Sequence, residues 1–124
     1  MCIRDRAGSG YEIELSFDLS LENVVKHKLV WKANLCLCEN HWLQYDLQGR
    51  RKQIFRKHCI MTFIFPEDGL PMQRFIRFAK AMRGVSIECM STSEGEILFA
   101  SSRYLSMMPK HQAQEYRKKR DARD

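Results

Sequence analysis

IMTFIFPEDGLPMQRFIRFAKAMR, residues 60–83, contains the transition that decides the fold. Ile60 to Phe65 is apolar on both faces and reads as the central end of a strand. Pro66 to Pro71 mixes proline, aspartate and glycine, the chemistry of a turn. From about Pro71 to Arg83 the apolar period changes from two to that of a helix. Met72, Phe75, Ile76, Ala79 and Met82 are spaced for one buried stripe. Pro71 suits the first helical turn, which needs no N–H there, and Gly84 suits the exit. A strand that turns directly into an amphipathic helix implies a sheet for that helix to cover.

Upstream, Tyr11, Ile13, Leu15, Phe17 and Leu19 alternate with polar residues, which predicts a half-buried strand. Ser20 to Lys26 fits a short helix or a turn. Leu29, Trp31, Ala33, Leu35 and Leu37 again have period two, so a second strand is expected there, followed by a turn at Glu39-Asn40. His41 to Leu47 predicts a third strand, Gln48-Gly49-Arg50 a turn, and Gln53 to Phe65 one long fourth strand. Downstream of the helix, Val85 to Met90 and Glu96 to Ala100 flank Ser91–Gly95 as a hairpin. After Tyr104–Met108, Pro109 opens a segment too polar to pack along its whole length, a solvated helix or a frayed tail. The predicted class is α+β: a mainly antiparallel sheet of about four N-terminal strands, one amphipathic helix, a β-hairpin and a charged C-terminal helix or tail.

Residues 1–6, MCIRDR, resemble a translated sequencing adapter, so the natural chain is expected to begin after Arg6. Residues 7–109 then form a single α+β domain and residues 110–124 a basic C-terminal helix or tail. Apolar content of 44% and charged content of 29% belong to a globular chain rather than a disordered one. No apolar run approaches the ~20 residues of a membrane span. Cys36, Cys38, Cys59 and Cys89 are too sparse for a disulfide framework, and reduced thiols in an intracellular, cytoplasmic protein are expected. The formal charge of +6 is uneven, since residues 110–124 carry six bases against three acids. That excess permits an anionic partner without demanding one.

Three clusters carry candidate chemistry. Arg50, Arg51, Lys52, Arg56 and Lys57 surround a turn, with Trp42 and Tyr45 within reach if the hairpin closes. Cations with interleaved aromatics suit single-stranded nucleic acid, phosphates meeting charge and bases meeting rings. The same residues also suit a solvated edge that discourages aggregation. Arg74, Arg77, Lys80 and Arg83 recur every third residue along the predicted helix, with no acid among them, and point to a phosphate backbone or an acidic protein surface. Cys36, Cys38 and His41 are metal-ligand types, but Cys-x-Cys is tighter than structural zinc sites use. Neither a metal nor any other cofactor is therefore expected. No Gly-rich phosphate loop, HExxH or nucleophile elbow is present. The expectation is a non-enzymatic binding module that contacts nucleic acid or an acidic protein partner, with a ligand-free structural subunit as the blander reading.

The stretch from Met61 to about Met108 resembles the histidine-containing phosphocarrier family. Thr62–Phe65 stands where that family's first strand would be, and Gly69-Leu70 opens the helix as its Gly-Leu-His does. Phe78 and Lys80 fall at matching helix positions. Gly95, Ala100 and Ser102 follow its turn-and-serine segment into a second helix. The resemblance departs where phosphotransfer would occur: Pro71 stands at the phosphorylated histidine and Gln73 at the neighbouring arginine. The family's last strand and helix have no counterpart after Met108. What the resemblance implies is an inactive, regulatory relative, with Ser102 as a candidate regulatory serine.

Overall fold

A computed structural model of the chain describes residues 10–36, 52–55 and 57–123. Strand β1 (Tyr11–Asp18) forms where alternation predicted it, burying Ile13, Leu15 and Phe17 on one face. Asp18 ends the strand. Its carboxylate accepts hydrogen bonds from the Ser20 backbone N–H at 2.8 Å and the Ser20 hydroxyl at 2.6 Å, which hold its pKa below the usual carboxylate range. A 3-10 turn, Leu19–Leu21, follows and leads into helix α1 (Glu22–Cys36).

Helix α1 corrects the strand expected from Leu29 onward. Leu29 and Ala33 share a face in a strand, but residues four apart also share a face in a helix. Val25 completes the helical set: Val25, Leu29 and Ala33 are buried, whereas Trp31 and Leu35 are exposed. The strand expected at His41–Leu47 lies outside the described residues, so three strands precede the amphipathic helix among those described. The long strand expected from Gln53 to Phe65 is two. Strands β2 (Lys52–Phe55) and β3 (His58–Phe65) fold back antiparallel, with Phe55 opposite His58.

Helix α2 (Leu70–Ala81) buries Met72, Phe75, Ile76 and Ala79 as the spacing required. Pro71 sits in its first turn, and the Gln73 side-chain amide donates to Asp68 at 2.7 Å beside that terminus. Gly84, at φ +83°, turns the chain out into β4 (Val85–Thr92). Gly95, at φ +99°, closes the hairpin to β5 (Ile97–Ala100). Helices α3 (Ser102–Met107) and α4 (Lys110–Arg123) complete the chain. The C-terminal segment is thus helical over Lys110–Arg123, and among the described residues it buries only Ala113 and Tyr116, three residues apart.

The sheet order is β2-β3-β1-β4-β5, with every neighbouring pair antiparallel. From β1 to β4 this is the connectivity of a split β-α-β unit, to which β5 adds an edge. One face carries the main core: Ile13, Leu15, Phe17, Met61, Phe63 and Phe65 meet α1 and α2. Phe75 lies between the rings of Phe63 and Phe65, with centroids 5.0 and 5.2 Å away. A smaller cluster of Ala100, Leu105, Ala113 and Tyr116 forms with α3 and α4. Cys59 and Cys89 are buried, and Cys36 is half-buried. Among the described residues, no helix is long and apolar enough to cross a membrane.

Candidate functional site

Helix α2 sets out its cations as a fan. Three-residue steps precess by about 60° around a helix, so Arg74, Arg77 and Lys80 spread across the exposed side instead of forming a straight row. All three are exposed, as are Arg83 beyond the helix end and Leu70 at its start. On one flank, Phe78 packs against α1, where the Lys32 ammonium lies 5.4 Å from its ring centroid. On the other flank, Lys80 and Gln73 border a groove of about 490 Å³ whose walls include Ile76, Ile87, Met90 and Phe99. Among the described residues no ion pair engages Arg74, Arg77, Lys80 or Arg83. A charge layout of this kind supports contact with an extended acidic surface.

The other predicted clusters are only partly described. Lys52 begins β2, and Lys57 is exposed just before β3. Arg50, Arg51, Arg56, Trp42 and Tyr45 lie outside the described residues. Of the metal-ligand types, Cys36 closes a helix instead of lying in a strand, while Cys38 and His41 lie outside the described residues. Among the described residues no three His, Cys, Asp or Glu side chains converge to hold a metal ion.

A second cluster was not legible from spacing. Glu88, in β4, is only 3% exposed. The β1–β4 register pairs Glu14 with Cys89 and then Leu15 with Ile87, so Glu88 is the extra residue of a β-bulge. Its carboxylate accepts from the Ser16 hydroxyl at 2.5 Å and the Ser101 hydroxyl at 2.6 Å, and the Arg103 guanidinium lies 3.6 Å away. Ser101 in turn caps α3, accepting the Tyr104 backbone N–H at 3.1 Å. Beside it, Tyr104 hydrogen-bonds Cys89 and Glu14. Burial, followed by the Glu14 charge, pushes the Cys89 thiol up to about 11, and burial raises the Tyr104 hydroxyl as well. A protonated, buried thiol is a poor nucleophile, and both Glu88 oxygens already hold hydroxyls. The cluster therefore joins β1, β4 and α3 into one unit. Glu94 and Glu96, the other acids of the β4–β5 hairpin, are exposed.

Comparison with known protein families, with characterised proteins and with solved structures finds no match to this chain.

Proposed function

We propose that the protein is a non-enzymatic binding module whose helix α2 engages an acidic protein surface. The observation that carries this reading is the fan of exposed Arg74, Arg77 and Lys80, on a helix without a single carboxylate, beside exposed Leu70. An apolar side chain among cations suits a protein partner better than a phosphate backbone, which offers it nothing to cover. A nucleic-acid partner is the competing outcome. The test is fluorescence anisotropy of the full chain against labelled polyglutamate and a polyuridylate of equal charge across a salt series. Polyglutamate binding that weakens roughly tenfold or more in the Arg74→Ala/Arg77→Ala/Lys80→Ala variant supports the reading. Binding of polyuridylate alone assigns the surface to nucleic acid, and binding of neither removes the proposal.

A second reading rests on the order of elements. Strand β3, helix α2, the β4–β5 hairpin and helix α3 follow one another as the phosphocarrier resemblance implies, with Ser101 capping α3 and Ser102 exposed as its first residue. The last strand and helix that the resemblance implies after that stretch have a counterpart before it. Strand β1, followed by α1, inserts between β3 and β4. On this reading the protein is an inactive phosphocarrier-like regulator with a permuted element order. Pro71 leaves no phosphorylatable nitrogen at the helix start. A purified phosphotransfer system should leave the chain unlabelled, and a serine kinase specific for phosphocarriers should label Ser102 if the regulatory serine is retained.

A further inference from the structure

Helix α1 carries two apolar stripes, of which the core uses one. The inner stripe is Val25, Leu29 and Ala33, all buried. The outer one is Val24, Trp31 and Leu35, continued by Leu21 of the preceding 3-10 turn, exposed by 57, 62, 50 and 42%. Counting Lys28 between them, the outer positions run 21, 24, 28, 31 and 35, alternating steps of three and four. That is the seam spacing with which one helix receives another, and a single lysine in such a seam selects register and partner. Four large apolar side chains grouped on one exposed face mark an interaction surface.

Charge selects among the occupants. The only acid on α1 is Glu22 in its first turn, whereas Lys28 lies at the middle of the stripe. A second copy packed antiparallel about a two-fold axis would oppose two Lys28 ammoniums. A helix from a different protein, with a carboxylate at the matching position, would pair with Lys28 while its apolar residues cover Trp31 and Leu35.

We infer that the outer face of α1 is a docking site for an amphipathic helix carrying a carboxylate opposite Lys28. This goes beyond the α2 reading and uses a different surface.

The experiment uses the full chain and two synthetic 21-residue helices with leucine at the seam positions, one with glutamate and one with lysine at the central position. Binding is read by calorimetry. The glutamate helix should bind more tightly, by roughly three- to tenfold, and Lys28→Glu should reverse the preference. Trp31→Glu should abolish binding of both while the circular dichroism spectrum stays unchanged. Binding by neither helix, or binding indifferent to the charge swap, overturns the inference. A dimer that Trp31→Glu dissociates would assign the face to a second copy instead. Protection of Trp31 from acrylamide in a monomeric Trp42→Phe chain would assign it to residues of this same chain. The Arg74→Ala/Arg77→Ala/Lys80→Ala variant should bind the glutamate helix as the parent does, which separates failure here from failure of the α2 reading.

Discussion

On the face toward α1 and α2, the sheet presents Ile13, Leu15, Phe17, Met61, Phe63 and Phe65 to two apolar helix stripes. On the face toward α3 and α4 it presents Ser16, Glu88 and Cys89, and what it meets there is Ser101, Arg103 and Tyr104. The first face is held by area, which tolerates small shifts and has no direction. The second adds to a small apolar cluster specific polar contacts, each demanding a partner at a fixed distance, because a buried carboxylate without donors is strongly unfavourable. One face therefore supplies most of the stability, and the other fixes where the C-terminal helices sit. A bulge makes this division possible by turning one residue of β4 out of the alternation that governs its neighbours.

The sharpest way to break the contrast is on the apolar face. Phe75→Ala empties the space between the rings of Phe63 and Phe65 and is expected to cost about 3–5 kcal/mol, read from urea denaturation. A cost below 1 kcal/mol would mean that this face is not the main source of stability. Next comes Glu88→Ala, which leaves the Ser16 and Ser101 hydroxyls and the Arg103 guanidinium without their shared acceptor. A loss of about 2–3 kcal/mol is expected, with hydrogen exchange accelerating first in residues 101–116. Uniform acceleration through β1 and β3 as well would show that the two faces unfold as one. Tyr116→Phe removes the hydroxyl that accepts the Ala100 N–H at 3.1 Å, and about 1 kcal/mol should be lost.

A further effect is a pH dependence. The Cys89 thiol is raised from 9.0 to about 11 in the folded chain. A raised pKa contributes stability that is fully present below 9.0 and is lost as pH rises toward 11, because the unfolded chain releases its proton first. Denaturation midpoints measured from pH 8 to 11 should fall, and Cys89→Ala should flatten part of that slope. An unchanged slope in the variant would remove Cys89 as its source.

These expectations depend unequally on what was readable in the chain. Helix α2 was legible because a turn, a proline in its first turn and a glycine exit frame one uninterrupted apolar stripe. Strand β1 and the β4–β5 hairpin were legible from alternation. Helix α1 was not, because its two apolar stripes cancel the amphipathic signal and four-residue spacing serves strand and helix alike. The β2–β3 hairpin was hidden because Lys57, which stands in the turn before β3, is not a typical turn residue. The cations of α2 were evident from composition, but the burial of Glu88 was not. It depends on a register shift between β1 and β4, which no local pattern in β4 announces.

The central position of β1 has a consequence in time rather than in energy. Leu15 lies opposite Met61 and Ile87, 46 and 72 residues further along the chain. The strand in the middle of the sheet is thus the earliest one described, and neither neighbour exists on the ribosome until long after it has emerged. Pairings this distant close large loops before they gain any contact, so folding should take roughly milliseconds to seconds rather than microseconds. During that interval Ile13, Leu15 and Phe17 are unpaired apolar residues on a free edge, and a chaperone or a competing strand has its opportunity there.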